Sequence, residues 1–221
     1  MQRLNWRQPP SPERKAFDGD TVRLEPLDPA HHGDELFHAA AGADSTWDYL
    51  AYGPFASRDD FMRWLESRAP LDDPLTFTII DRAADQARGL ESLMRIDAPN
   101  GVIEIGHIWL SPSLQRTRQA TEAIYLLSRY VFDLGYRRYE WKCDSLNQPS
   151  RRAAERFGFV FEGIFRQHMV IKDRNRDSAW FSILDSEWPS RRQAFEFWLS
   201  AENFDSTGKQ KRSLSEIRAV T

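Results

Sequence analysis

The run Glu104-Ile105-Gly106-His107-Ile108-Trp109-Leu110 alternates like a strand and stops at Ser111-Pro112; after a short polar loop an amphipathic segment begins at Thr117. A strand feeding a helix start constrains this chain more than any other feature. The first turn of a helix has unpaired backbone N–H groups and the positive end of the helix dipole, so it suits a phosphate. Residues Tyr139 to Phe159 repeat the arrangement: a strand, then Asn147-Gln148-Pro149-Ser150, a helix, and Gly158-Phe159.

With 221 residues the chain can hold one substantial domain plus terminal extensions. Hydrophobic residues at 41% and charged residues at 29% are those of a soluble globular protein. The 8 Trp and 14 Phe stock a core with aromatics to spare for a pocket or an interface, a homodimer being one such arrangement. A net charge of −3 gives no pull toward nucleic acid or an anionic membrane. The single Cys143 excludes an intrachain disulfide and any multi-cysteine metal site, and His31 and His32 at a helix start suggest no metal. No apolar stretch is long enough to span a bilayer, and Met1-Gln2-Arg3-Leu4-Asn5-Trp6 lacks the apolar core of a signal peptide, so the expected location is cytoplasmic.

Along the chain, residues 1–16 are rich in Pro and charge and read as an extended arm. Thr21 to Leu27 alternates as a strand; Asp28-Pro29 opens a helix that ends near Gly42, and Ser57-Arg58-Asp59-Asp60 opens another. Leu75–Ile80, Leu90–Ile96 and Val102–Leu110 read as strands, the last two joined at Pro99-Asn100-Gly101. After Thr117, Ala120, Ile124, Leu127, Val131 and Leu134 share one helix face, which Gly135 closes. Arg138–Cys143 alternates, a short helix ends at Gly158, and Phe159–Ile171 with Ser178–Leu184 forms a hairpin. A domain over 17–188 is followed by a helical segment, 189–205, and a polar tail, 206–221, expected to be disordered. The order β-α-α-β-β-β-α-β-α-β-β plus a C-terminal helix predicts an α/β (α+β) fold: a mixed, mainly antiparallel sheet with helices on both faces.

This order, over roughly Thr21 to Trp188, resembles the GNAT superfamily of N-acetyltransferases. Gln115-Arg116-Thr117-Arg118-Gln119-Ala120 is similar to that family's phosphate motif, Gln/Arg-x-x-Gly-x-Gly/Ala, departing from it at Arg118, where Gly is usual. Asn147-x-x-Ser150, Arg156-Phe157-Gly158-Phe159-Val160, Glu162-Gly163, Arg166 and the strand Asp177–Leu184 resemble the ribosomal-protein N-terminal acetyltransferase (Rim-type) branch. The resemblance implies acetyl-CoA as donor. Backbone amides of Arg116 to Thr121 would hold its diphosphate, with Gln115 and Arg152 nearby. The pantetheine arm would lie against Trp109, Leu110 and Asn147, and Ser150 would protonate the departing thiolate.

Each candidate has a structural explanation beside the functional one. Thr117 and Thr121 are also ordinary helix-start residues, and Asn147 with Ser150 suits an N-cap. Glu104 is the candidate general base and His107 the alternative. Strict alternation puts Glu104, Gly106 and Ile108 on one face and Ile105, His107 and Trp109 on the other, unless a bulge intervenes. Trp47, Tyr49, Tyr52 and Phe55 lie in a loop that lines the acceptor site in similar enzymes, or else pack that loop onto the domain; Glu91 is a further acceptor-side candidate. Cys143 alternates with Trp141 and Tyr139 as a buried, inert thiol.

The expected reaction is direct attack of a primary amine on acetyl-CoA, with a protein or peptide N-terminus as acceptor. Two other readings stand beside it: acetylation of a small amine (an amino-acid derivative, polyamine or antibiotic), and a catalytically silent acyl-CoA-binding module.

Overall fold

Every predicted strand finds its neighbour in one eight-stranded sheet. The computed structural model describes residues 5–221; the first four residues of the expected N-terminal arm lie outside the described residues. The elements are β1 (Phe17–Asp18), β2 (Val22–Pro26), α1 (Pro29–Ala40), α2 (Arg58–Arg68), β3 (Leu75–Asp81), β4 (Gln86–Asp97), β5 (Val102–Leu110), α3 (Arg118–Asp133), β6 (Arg138–Asp144), α4 (Gln148–Phe157), β7 (Val160–Ile171), β8 (Arg174–Leu184), α5 (Trp188–Leu199) and α6 (Leu214–Arg218). The strand order is β1-β2-β3-β4-β5-β6-β8-β7, antiparallel throughout except where β5 meets β6. No helix among the described residues is long and apolar enough to cross a membrane.

Local chemistry sets the element ends. Asp28 accepts from the Ala30 amide at 3.0 Å and Pro29 begins α1; Ser57 accepts from the Asp60 amide at 3.1 Å to start α2. Gly101, at φ 65°, turns β4 back into β5. Each face of the sheet is covered. On one side Ile124, Leu127 and Val131 of α3, with Phe195 of α5, pack on Leu24, Phe77, Ile103 and Phe181. On the other, Leu36 of α1 and Phe61 and Leu65 of α2 pack with Trp47 on Leu90 and Trp109.

Glu122 ties the sheet edge to α3. Its buried carboxylate accepts from the amides of Asp20, Thr21 and Val22 at 2.7, 2.6 and 3.0 Å, and from the Thr21 hydroxyl. A Cβ at Gly19 would stand 2.7 Å from that carboxyl carbon, so a side chain there would displace Glu122 from these hydrogen bonds.

The C-terminal region corrects the expectation of a disordered tail. Leu214 and Ile217 of α6 are buried, and Ser213 with Glu216 forms a capping box. The Asn203 amide donates to the carbonyls of Trp198 and Arg212, both at 3.1 Å. Two apolar anchors and one buried amide order a segment whose composition is otherwise polar.

Glu91 is also corrected. Leu90 and Leu93 sit in opposite cores, and strand alternation places Glu91 with Leu93, under α3 beside Tyr139. It is fully buried, neither oxygen has a hydrogen-bond partner, and it does not line the cleft described below. Burial raises its pKa to about 8. The folded chain therefore keeps this proton to about pH 8, while the unfolded carboxyl releases it near 4.5. Stability falls as pH rises through that window, by at most roughly 1.4 kcal/mol per pH unit. Urea unfolding of Glu91→Gln from pH 5 to 8 should show that slope flattened relative to wild type. An unchanged slope would mean that Glu91 folds as the carboxylate.

Candidate active site

The parallel pair β5–β6 lasts only from Val102–Arg138 to Ile105–Trp141; β5 then runs on to Leu110 paired only with β4, and β6 to Asp144 paired only with β8. A bulge accompanies the parting. Gly106 pairs with Ser92 and Trp109 with Leu90, so His107 and Ile108 together oppose Glu91, and His107 takes φ 50°. The extra residue shifts the alternation. Ile103 and Ile105 pack under α3, and beyond the bulge Ile108 and Leu110 do, while Trp109 joins the opposite core. His107 thereby shares a face with Glu104, contrary to strict alternation.

The strands part around an open cleft of about 1550 Å³. At one end lies the start of α3. Thr117 is its N-cap, accepting from the Ala120 amide at 3.1 Å, and Gln115 donates from its side chain to the Leu110 carbonyl. The first-turn amides of Arg118 and Gln119 have no intrahelical acceptor, and Gln115 through Thr121 all line the cleft. The Arg118 side chain does not enter the turn. It donates to the Leu199 carbonyl and lies 4.7 Å over the Phe204 ring.

Asn147 is the N-cap that its position suggests, and it also faces the cleft. Its Oδ1 accepts from the Ser150 amide at 3.1 Å, capping α4, and the residue lines the cleft with Ser150 and Arg152. The Ser150 oxygen accepts from Trp141 Nε1 at 3.0 Å, which leaves its own O–H to donate. Burial pushes the neighbouring Cys143 thiol up, as expected of an inert cysteine.

The far end of the cleft differs from expectation. Of the four loop aromatics only Tyr49 lines it. Trp47 is buried and stacks on Trp109 at 4.9 Å, Phe55 meets Trp47 edge-on, and Tyr52 stacks on His107. These three pack the loop onto the domain. Trp109 likewise gives the cleft its backbone and little else, since its indole is buried and donates to Thr46 Oγ1. Tyr49 donates to the Leu146 carbonyl at 3.4 Å, and Lys172, at the β7–β8 turn, donates to the Trp47 carbonyl at 2.9 Å. The two contacts form an arch over this end.

Charges missed in the sequence gather here. Buried Glu104 pairs with Lys142 at 3.0 Å and Arg95 at 3.3 Å; Lys142 also meets Glu140 at 2.7 Å and lies over Trp180. The contact to Glu104 is Coulombic rather than a well-aligned hydrogen bond. Burial raises the Glu104 pKa against the pull of Lys142 and Arg95. Arg176 lines the cleft with its Nε on Ser178 Oγ and makes no ion pair among the described residues. Strand alternation signalled none of these contacts, since they join β4, β5, β6 and β8. His32, placed by sequence at a helix start, is buried with its nitrogens engaged by Glu25 and Thr78; His31 adjoins that group.

Burial and the cations Arg68, Arg95 and Arg176 lower the His107 pKa to about 4. Its Nδ1 lies 2.7 Å from the Tyr52 hydroxyl. Burial holds that phenol neutral, and it has no other acceptor among the described residues, so it donates to Nδ1 and the ring proton sits on Nε2. His107 is therefore a hydrogen-bond donor and a weak base.

The acetyltransferase (GNAT) domain model matches residues 21–160, and the chain belongs to that family. A crystal structure of a GCN5-related N-acetyltransferase from Brucella melitensis is 57% identical, covering 97% of this chain and 99% of that one, with a TM-score of 0.96. The ribosomal-protein-serine acetyltransferase of Escherichia coli K12 is 32% identical over 105 residues, 47% of this chain and 58% of that protein. The chain spans little more than half the length of the curated relatives it matches first. The microcin C7 self-immunity acetyltransferase, solved with acetyl-CoA and AMP, shares the fold at 23% identity and a TM-score of 0.67, covering 75% of this chain and 93% of that one.

NMR of the imidazole nitrogens should show His107 neutral, with the proton on Nε2, from pH 5 to 8 and a midpoint near 4. A midpoint near 6.5 would restore it as a base at neutral pH.

Proposed function

We propose that this protein transfers an acetyl group from acetyl-CoA to the free α-amine of a protein or peptide N-terminus. The observation that carries the reading is the convergence of the α3 start and the Asn147–Ser150 turn on one cleft between parted parallel strands. The first-turn amides of α3 suit the donor's diphosphate, and the unpaired edges of β5 and β6 suit its pantetheine amides. What acetyl-CoA supplies is the activated thioester.

The acceptor nitrogen attacks the thioester carbonyl directly, since the one thiol is buried and its pKa raised. As the C–N bond forms, an amide of Ile108 to Leu110 donates to the developing oxyanion. As the C–S bond breaks, the Ser150 O–H donates toward the sulfur. The proton lost by the amine goes to Glu104, directly or through water, because its raised pKa makes it the stronger base of the two candidates.

The acceptor end favours an amine of low basicity. Arg95 and Arg176 line it, and both His107 and His168 are held toward neutrality by burial and these cations. A positive field opposes an ammonium. An α-amine, with a pKa of roughly 7.7–8.0, is partly neutral near pH 7, whereas a lysine near 10.4 is not. The name of the Escherichia coli relative, a ribosomal-protein-serine acetyltransferase, agrees with this choice. One observation favours the small-amine reading instead: the arch of Tyr49–Leu146 and Lys172–Trp47 narrows the entrance.

Thiol release from acetyl-CoA should be fastest with peptides bearing a free N-terminus and slowest with Nα-blocked lysine peptides. Glu104→Gln should lower kcat by about 100-fold or more while CoA binding is retained. Release with small amines alone would select the second reading, and no release with any amine would remove the enzyme assignment.

A further inference from the structure

The departure of Arg118 from the family motif is explained by a part of the chain that the family match, residues 21–160, does not reach. We infer that the segment from Trp198 to Gln210 is a working wall of the donor site that grips the adenosine 3′,5′-diphosphate end of CoA, and that Arg118 holds it in place. The inference rests on the acyl-CoA reading above.

Two arginines clamp the segment to the helix starts. Arg118 bonds the Leu199 carbonyl and covers Phe204 at 4.7 Å. Arg156 covers Trp198 at 4.9 Å and donates to Thr121 Oγ1 at 3.1 Å. Trp198 and Phe204 meet edge-on at 5.2 Å. From Phe204 the chain makes a small hairpin: Phe204 pairs with Gln210, Asp205 donates its amide to the Lys209 carbonyl, and Gly208 takes φ 79°. Gln210 then accepts from the Trp198 indole at 2.8 Å. This hairpin lines the same cleft as Arg116 through Thr121.

The charges at this end await an anion. Arg152, Arg156 and Lys209 all line it, and none makes an ion pair among the described residues. The Asp205 carboxylate accepts from Thr207 and Lys209 of its own turn. Arg156 is partly buried against the Thr121 hydroxyl and the Phe157 and Trp198 rings, with the Arg218 cation nearby and no carboxylate paired to it, an arrangement that a phosphate would complete. The first turn of α3 accounts for two phosphates of CoA. The third, on the ribose, needs cations off the helix axis, and Lys209 on the hairpin is placed to supply one. Phe204 beside it, only partly buried, offers the adenine an apolar contact.

The test is calorimetric binding of CoA and dephospho-CoA to the full chain and to Arg118→Gly, Phe204→Ala and Lys209→Ala, with thermal unfolding as the folding control. Wild type should prefer CoA over dephospho-CoA by about ten-fold, and Lys209→Ala should narrow that gap. Arg118→Gly and Phe204→Ala should each weaken CoA by about five-fold or more. Arg118→Gly restores the usual motif glycine, so equal or tighter CoA binding in that variant would overturn the inference. Lys209 is an exposed side chain, so its variant keeps the question answerable if Phe204→Ala unfolds. CoA binding untouched by all three changes would sink the wall alone; no CoA binding by wild type would sink the donor reading as well.

Discussion

Where β5 stops pairing with β6, two backbone edges that the sheet elsewhere satisfies are left facing each other. Lining an open cleft, these N–H and C=O groups can be bonded by water, and they offer the same bonds to a ligand with amides of its own. The rest of the cleft is arranged around these edges. The bulge at His107 is how β5 departs, and helices α3 and α4 each begin just beyond the strand ends it creates. One irregularity of a single residue thus brings the starts of α3 and α4 and the bulged His107 onto one cleft.

Beneath the parting runs a line of alternating charge, Arg95–Glu104–Lys142–Glu140–Arg138–Glu162. Its inner members are nearly excluded from solvent, where ions are tolerated only when paired. The chain links β4, β5, β6 and β7, and Lys142 is its one member on β6 past the last β5–β6 pair. It also leaves Glu104 a better base than an exposed carboxylate, since its burial outweighs its cations.

Much of this was legible in the residues. The order of strands and helices and the caps at Asp28, Ser57, Thr117 and Asn147 follow from periodicity and turn chemistry, while the approach of residues 115–121 to 147–152 follows from the resemblance to the GNAT family. Local signals did not reach what depends on distant partners. The aromatics Trp47, Tyr52 and Phe55 read equally as pocket or core, and only Trp109, Phe61 and His107 from other elements decide for core. Glu91 looked like a cleft residue because a strand carboxylate is normally solvated; its burial beneath α3 breaks that rule. The tail looked disordered because Leu214 and Ile217 are too few to register in composition, though enough to anchor a short helix. Arg118 was ambiguous because its partners, Leu199 and Phe204, lie outside the family pattern.

The start of α3 and the C-terminal hairpin line one part of the cleft, while Tyr49, His168 and Arg176 line another, beside the contacts Tyr49–Leu146 and Lys172–Trp47. On the proposed reading the nucleotide thioester and the amine would occupy opposite ends of one cleft, so that neither would have to vacate for the other.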